Sequence, residues 1–452
     1  MLRALLSKIG LDKSIAFTAS ARIVHAGGNL IIVLFIAKSL TPEEQGFYFT
    51  FFSVLSMQVF FELGLNGIMT QFVAHEASLL KWKENQYVGS EHNKSRLASL
   101  LHFTLKWYSV IAAVLLVVLI VVGFVFFNEY DKSGGAVSWR LPWLILCFST
   151  AANVLIAPLF CILEGLGFVK DVAKYRFYQQ ILSLLLVCAF LILGAKLLVA
   201  AVSSLTWVFV GLIALGGKKL GGKLRYIYKI RIKDSVLYKT EIFPFQWKIA
   251  LSWISGYFIF QLFNPILFAT EGAVVAGQMG MTIAALTAIQ SLALSWTSTK
   301  VPRYSGYIAN KQYVELDTLF NKTIKQAAFI TASLEIVFIL VISLIRYYEL
   351  DFGIVYLGDR FLTIIPLLFM ALATLMNVTV NAWATYLRCH KQEPFLANSV
   401  VGGITCALST VILGNLFGVI GMTVGYCIIT CLLAIWGYNI FKTKKGLWHI
   451  NQ

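Results

Sequence analysis

Residues 110–127, VIAAVLLVVLIVVGFVFF, form an unbroken apolar run without a charged side chain. A helix rises about 1.5 Å per residue, so a run of this length crosses most of a hydrocarbon core that is roughly 30 Å thick. Similar stretches recur along the whole chain and predict an all-α polytopic membrane protein with twelve transmembrane helices. The predicted spans are residues 15–37, 47–70, 104–127, 141–164, 177–196, 198–217, 247–269, 272–296, 325–346, 361–386, 395–414 and 417–441.

The composition agrees with this class. Of the 452 residues 59% are hydrophobic and only 13% are charged, about half the charge of an ordinary globular domain. This excludes a water-soluble multidomain protein. The connections are too short for a separate catalytic domain, and the sequence contains no nucleophile elbow, phosphate-binding loop or metal-type ligand spacing. We therefore expect no enzymatic activity and no cofactor.

The basic residues predict the topology. The 37 Lys and Arg residues outnumber the 21 Asp and Glu residues, which gives a formal net charge of +16. When both termini are placed in the cytoplasm, 28 basic residues fall on that side and six on the other. The positive charge is therefore explained by topology, and no nucleic-acid partner is expected.

The chain is predicted to contain two six-helix lobes. The most basic connection lies midway and is interpreted as a flexible linker that touches anionic lipid. The predicted division is an interfacial N-terminal helix at 1–14, an N-terminal lobe at 15–217, a basic cytoplasmic linker at 218–246, a C-terminal lobe at 247–441 and a basic cytoplasmic tail at 442–452.

A polar stripe follows one face of the first predicted span. Thr18, Arg22, His25 and Asn29 are spaced by three or four residues, which is the repeat of one helical face. An Arg at mid-span costs about 2.5–3.5 kcal/mol on insertion scales, so it requires an anionic partner or a wet cavity. Arg22 and His25 are therefore candidates to bind an anionic group of a substrate.

A second stripe, Gln58, Glu62 and Asn66, follows the second predicted span at four-residue spacing. An ion pair between Arg22 and Glu62 is the alternative to substrate binding, because it would explain both charges. Glu62 and His25 are also the groups best suited to change protonation in an ion-coupled cycle.

Polar residues recur in the later spans. The tenth span presents Thr374, Asn377, Asn381, Thr385 and Arg388 on one face, and the ninth contains Thr331 and Glu335. For such sets the alternative to binding is interhelical hydrogen bonding. Lys106 beside Trp107 and Tyr108 is interpreted as an anchor at the membrane interface.

Two segments carry a resemblance to a known family. Residues 36–48, IAKSLTPEEQGFY, and 60–65, FFELGL, resemble the first loop and second helix of bacterial Wzx-type O-antigen and polysaccharide flippases. These belong to the multidrug/oligosaccharidyl-lipid/polysaccharide (MOP) exporter superfamily. The position of Arg22 after Ser20 and Ala21 is also similar to that family.

The resemblance implies a MOP/MATE-like fold in the bacterial inner membrane and a function as a flippase. The substrate would be undecaprenyl-pyrophosphate-linked oligosaccharide, moved from the cytoplasmic to the periplasmic leaflet by alternating access. Membrane lipids, a polysaccharide polymerase and a chain-length regulator are the other implied partners. We assign to the substrate site Arg22, His25, Asn29, Gln58, Asn66, Asn377, Asn381, Arg303 and Arg388, the last two for admission from the cytoplasm.

Two other functions are considered. An ion-coupled MATE-like exporter of drugs or metabolites has the same architecture, although a cationic drug favours an acidic cavity rather than one that contains Arg22. A membrane-embedded polymerase or glycosyl transferase is disfavoured, because the connections on the predicted periplasmic side are short.

Overall fold

A computed structural model describes residues 27–28, 31–83, 86–349, 356–390 and 392–450. Packing divides the chain into two compact units. The continuous unit is Val54–Ile254, and the split unit combines residues up to Ser53 with residues from Ser255 onwards. The predicted interfacial helix at 1–14 and most of the first predicted span lie outside the described residues, although residues 31–39 are helical.

The described chain is almost entirely helical, with one small hairpin of two strands. In chain order the helices are α1 (Pro42–Leu55), α2 (Val59–Glu62), α3 (Leu65–Ser78), α4 (Glu91–Tyr130), α5 (Arg140–Gly165), α6 (Val169–Ile192), α7 (Leu198–Gly216), α8 (Gly221–Tyr228), α9 (Phe243–Phe260), α10 (Phe263–Thr270), α11 (Ala273–Ser298), α12 (Val301–Ala309), α13 (Tyr313–Tyr347), α14 (Ile364–Arg388) and α15 (Leu396–Ile450). Strands β1 (Leu80–Lys83) and β2 (Gln86–Gly89) pair antiparallel. Short turns of 3-10 helix occupy Ser56–Gln58 and Leu357–Arg360.

The predicted membrane class is confirmed. Within the described residues nine helices are long and apolar enough to cross a membrane, and a bent pair, Pro42–Glu62 with Leu65–Ser78, adds a tenth. One of the nine, α15, breaks at Gly418 and so contains two spans. These spans correspond to all of the predicted ones except the first, which lies mostly outside the described residues.

The two arms of α15 form an antiparallel hairpin around Gly418. Asn398 Nδ2 near the start of the first arm donates to Leu433 O in the second, at 3.0 Å. Gly418 takes φ 59° and ψ −144°, a conformation open to glycine but not to residues with a Cβ. Glu271 Oε1 accepts a 2.7 Å hydrogen bond from Val419 N and so satisfies a free amide at the start of the second arm.

The basic connection between α7 and α9 is folded, which corrects the expectation of a flexible linker. Leu224 and Ile227 of α8 are buried. Lys223 Nζ lies 3.9 Å from the ring centroid of Trp82 and 4.2 Å from that of Phe168, and burial lowers the pKa of this amine. A few apolar residues among many lysines therefore suffice to pack this connection onto the continuous unit.

Helix α4 is 40 residues long, so at about 1.5 Å per residue it extends past the bilayer. Arg96 in its first turns is paired with Glu76 at 2.9 Å and with Glu241 at 2.6 Å. Ser95 Oγ accepts hydrogen bonds from the backbone of Lys233 and Asp234, both at 2.7 Å. These contacts order the predicted cytoplasmic end of the continuous unit.

Residues 31–53, which the sequence assigned to the N-terminal lobe, pack in the split unit. The predicted tail from residue 442 continues the second arm of α15, where Lys445 Nζ pairs with Asp317 Oδ2 at 2.7 Å. The functional division into lobes at 15–217 and 247–441 stays a prediction.

Candidate functional site

The first polar stripe cannot be placed. Arg22, His25 and Asn29 lie outside the described residues. Their assignment to the substrate, and the alternative ion pair between Arg22 and Glu62, therefore stay predictions.

The second stripe lies in the continuous unit, at a break in the second predicted span of the chain. Gln58 ends the 3-10 turn after α1, and Glu62 ends α2. Leu63 and Gly64 then take left-handed backbone conformations, with φ of 49° and 68°. A side chain at Gly64 would also place a Cβ 2.5 Å from Ile249 Cγ2, so both the space and the backbone angle favour glycine.

Glu62 and Asn66 meet across this break. Asn66 Nδ2 donates to Glu62 Oε2 at 3.0 Å, and Asn66 Oδ1 accepts from the Tyr108 hydroxyl at 2.8 Å. Tyr108 is 1% exposed, whereas Lys106, the residue interpreted as an interface anchor, is exposed. The structure therefore places a carboxyl, an amide and a phenol in one hydrogen-bonded chain that the sequence predicted only in part.

The polar side chains of the tenth predicted span lie in the split unit and make two kinds of hydrogen bond, one between helices and one within their own helix. Asn377 Nδ2 donates to the Tyr426 hydroxyl on α15 at 2.9 Å and so joins two helices. Asn381 Nδ2 donates to Asn377 O at 2.8 Å, and Thr385 Oγ1 donates to Asn381 O at 2.8 Å. Asn377 thus makes the interhelical bond that was the alternative to binding, whereas Asn381 and Thr385 bond within their own helix.

A cavity of about 570 Å³ lies where α12 meets the end of α14, at the predicted cytoplasmic end of the split unit. Its walls are formed by Val301, Ser305, Ile308, Ala309, Thr385, Arg388, Cys389 and His390. Arg303 is on α12 and exposed. The sequence placed Arg303 and Arg388 near cytoplasmic ends, and the structure brings their helices together.

The positive charge of the arginine in this cavity is balanced by a glutamate. Arg388 donates through Nε and Nη2 to the carboxylate of Glu393, at 2.7 and 3.0 Å, and its side chain is half exposed. Burial lowers the pKa of His390, so its neutral form is favoured. His390 Nε2 is buried and has no hydrogen-bond partner within the described part of the chain. The cavity thus presents an arginine paired with a glutamate, an imidazole and two hydroxyls beside an apolar wall.

The first of the two segments that carry the family resemblance, residues 36–48, has a structural role. Thr41 N donates to Glu44 Oε2 at 3.0 Å, and Glu44 N donates to Thr41 Oγ1 at 3.2 Å. This is a reciprocal capping box, and Pro42 occupies the first position of α1, where its missing amide has no cost.

Gln45 and Gly46, which follow Glu44, join α1 to α11. Gln45 Nε2 donates to Gly277 O at 2.8 Å and to Arg360 O at 3.0 Å. Arg360, which is 2% exposed, donates through Nη2 to Leu40 O at 2.6 Å. A Cβ at Gly46 would overlap the backbone carbonyl of Ala273. These contacts of residues 40–46 therefore lie within the split unit, and each of them is made to another part of the chain.

One buried carboxyl outside the predicted site has an oxygen without a partner among the described residues. Glu335 on α13 is 4% exposed, and its Oε1 has no hydrogen bond within the described part of the chain. Its polar character was visible in the sequence, but its isolation was not. No group of three or more His, Cys, Asp and Glu side chains among the described residues is placed to hold a metal ion.

No family model matches the chain, and no curated protein matches it. Solved structures do. An inward-facing multidrug-resistance MATE family transporter of the MOP superfamily aligns with 95% of this chain and 98% of its own length, at 14% identity and TM-score 0.67. A multidrug-resistance MATE family transporter of the MOP superfamily in an outward-facing conformation aligns with 98% of this chain and 98% of its own length, at 14% identity and TM-score 0.57. The lipid II flippase MurJ, in an inward closed conformation, aligns with 97% of this chain and 90% of its own, at 15% identity and TM-score 0.58.

At such low identity these matches describe the fold alone. They extend over almost the whole chain and include both exporters and a lipid flippase. The chain is a multi-pass helical membrane protein with the fold of the MATE and MOP superfamily transporters.

Proposed function

We propose that the protein is a flippase that moves undecaprenyl-pyrophosphate-linked oligosaccharide from the cytoplasmic to the periplasmic leaflet of a bacterial inner membrane. The observation that carries the proposal is the similarity in fold to a lipid II flippase over 97% of the chain, because that protein is a flippase of a lipid. The Wzx-like segments at 36–48 and 60–65 support the same substrate class.

The residues fit the chemistry of such a substrate. A diphosphate crossing a medium of low dielectric requires cationic donors, and Arg22 with His25 is proposed to supply them. Sugar hydroxyls require amide and hydroxyl partners. Gln58 and Asn66 in the continuous unit, Asn377 and Asn381 in the split unit, and Asn29 are proposed for that role. Arg303 and Arg388, beside the 570 Å³ cavity, are proposed to admit the headgroup.

The alternative is an ion-coupled MATE-like exporter of drugs or metabolites. It is favoured by the higher TM-score of the inward-facing MATE transporter, 0.67 against 0.58 for the lipid II flippase. The carboxyls of Glu62 and Glu335 within spans also suit the transport of a cation.

Reconstitution separates these two functions. Purified protein is placed in liposomes with a fluorescent undecaprenyl-pyrophosphate oligosaccharide, and a membrane-impermeant reductant reports the fraction in the outer leaflet. We expect the wild type to equilibrate the lipid between leaflets and Arg22→Ala to lose this activity, because the diphosphate loses its cation. Arg140→Ala is the matched control, since Arg140 is exposed at the predicted periplasmic end of α5.

The opposite pattern would reject the flippase. If wild-type liposomes fail to move the lipid but accumulate a fluorescent lipophilic cation under an ion gradient, the exporter is the correct function. Full flipping by Arg22→Ala would retain the flippase but remove Arg22 from the site.

A further inference from the structure

Glu335 lies near the middle of the predicted span 325–346, on the face of α13 that packs inward. The buried residues Thr323, Ala327, Thr331 and Glu335 follow one another at steps of four, so they form one stripe. Glu335 itself is 4% exposed. The hydroxyl of Thr331 is used within the helix, where it donates to Ala327 O at 2.9 Å. The side chain is therefore largely buried in protein, and its Oε1 fully so, at the predicted depth of the hydrocarbon core.

The two long helices that pack against α13 offer no charge at this depth. Helix α11 contains no acidic, basic, histidine, cysteine or tyrosine residue along its whole length. Helix α14 contains two ionisable residues, Tyr386 and Arg388, both in its last turn. Arg388 is paired with Glu393, and Tyr386 donates to Asp317 at 2.7 Å.

The ionisable residues of the shorter elements beside α13 lie at its ends, away from Glu335. Helix α12 contributes Arg303, Tyr304 and Tyr307 at the end of α13 where Asp317 lies, about 27 Å along the helix axis from Glu335. The 3-10 turn contributes Asp359 and Arg360, and Arg360 is directed to Leu40 O. On α13 itself, Arg346 donates to Gly358 O and Phe361 O at 2.8 Å.

An isolated carboxylate in such a place is costly. Transfer of an unpaired charge out of water costs far more than neutralising it by proton uptake, so a buried acid without a cation or donors takes up a proton. A bound metal ion would require several further oxygen ligands. No group of three or more His, Cys, Asp and Glu side chains among the described residues includes Glu335.

We propose that Glu335 is a proton-binding site of the transport cycle. In the state shown here its carboxyl is protonated. In a state that exposes it to water the O–H bond breaks, the proton passes to water, and the carboxylate remains until it is protonated again. A role for Glu335 in the transport cycle rests on the proposed function, because it requires that the protein is a transporter. It does not depend on the identity of the substrate.

Proton binding is tested first and without transport. Infrared spectra of the wild-type protein in lipid nanodiscs at neutral pH should contain the C=O band of a protonated carboxylic acid, and difference spectra against each variant show which residue contributes to it. Glu335→Gln, which is neutral and almost isosteric, should remove the contribution of Glu335 and so weaken that band. Glu164→Gln is the matched control, because Glu164 has a cationic partner, Arg176, at 3.1 Å and should not contribute to the band.

Persistence of the full band in Glu335→Gln, or its absence from the wild type, would overturn the proposal. Glu335→Met, of similar volume, provides the same comparison if the glutamine variant does not fold. Size-exclusion profiles identify which variants are folded.

Coupling is tested next in liposomes with and without a pH gradient. We expect the wild-type transport rate to respond to the gradient, and Glu335→Gln to transport without any response to it. Thr331→Val, one turn away, should keep the response. A Glu335→Gln protein that responds like the wild type would make Glu335 a packing residue. If no variant moves the lipid-linked oligosaccharide, the proposed function fails while the infrared result still decides proton binding.

Discussion

Glu62 illustrates how a single backbone break changes the meaning of a sequence pattern. Four-residue spacing placed Gln58, Glu62 and Asn66 on one face of a continuous helix. The left-handed residues Leu63 and Gly64 interrupt that helix, yet Asn66 still reaches the carboxylate of Glu62. The amide then receives a hydrogen bond from Tyr108, which comes from α4. The pairing survives because the Asn66 side chain spans the break.

The relation of Arg22 to Glu62 is decided by a double-mutant cycle. If the two form a structural ion pair, either alanine substitution leaves a buried charge unpaired, and the double variant Arg22→Ala with Glu62→Ala recovers activity relative to each single variant. If Arg22 binds the substrate, the double variant stays as inactive as Arg22→Ala. The flipping assay gives the rates, and the amount of inserted protein corrects for expression.

At the scale of elements, the segment from Thr41 to Gly46 shows why a family motif need not be a binding site. The capping box defines where α1 begins, and Gln45 holds carbonyls of two other elements. Gly46 faces Ala273, so the backbones of α1 and α11 approach closely. Small residues at such crossings allow the van der Waals packing that holds membrane helices together.

Gly46→Ala is therefore expected to destabilise the protein. The added methyl group overlaps a backbone carbonyl, and overpacking of this kind costs about 1–3 kcal/mol. The measurement is the midpoint of thermal unfolding in detergent, which should fall.

Gly67→Ala is the matched control for this substitution. Gly67 lies within α3, and apart from its chain neighbours and the adjacent backbone of its own helix no atom of the described residues lies within 4 Å of a Cβ placed there. Alanine there gains helix propensity of up to about 1 kcal/mol, so its midpoint should stay or rise. Equal midpoints for Gly46→Ala and the wild type would contradict the close approach of the two helices.

At the scale of the whole molecule, the unequal distribution of basic residues predicts which ends of the spans face the cytoplasm. The fold is compatible with this topology but carries no information on the side of the membrane. The positive-inside rule is therefore the argument for cytoplasmic termini.

Cysteine labelling checks the topology. In a background without the seven native cysteines, Lys132→Cys and Lys229→Cys each introduce a thiol at an exposed position. An impermeant maleimide applied to intact cells should label the first variant, and the second only after permeabilisation. The reverse pattern would invert the topology and move the cavity beside Arg388 to the periplasmic side.

The structure extends the sequence-based prediction of the site only in part. The spacing of Glu62 and Asn66 and the convergence of the helices of Arg303 and Arg388 were readable, because they follow from helical period and from topology. The roles of Tyr108 and Tyr426 were not, since a tyrosine suits both a membrane interface and a buried hydrogen bond. Arg22, His25 and Asn29 rest on the sequence alone.

By itself the sequence determined the class, the spans and the excess of positive charge on one side. These follow from local hydrophobicity and composition, which each segment expresses regardless of its neighbours. Only the tertiary structure decided that residues 31–53 pack with the C-terminal half of the chain, that the basic connection is folded and that Glu335 Oε1 has no hydrogen-bond partner among the described residues. Each of these depends on contacts between residues far apart in the chain, and residue spacing within one helix does not encode such contacts.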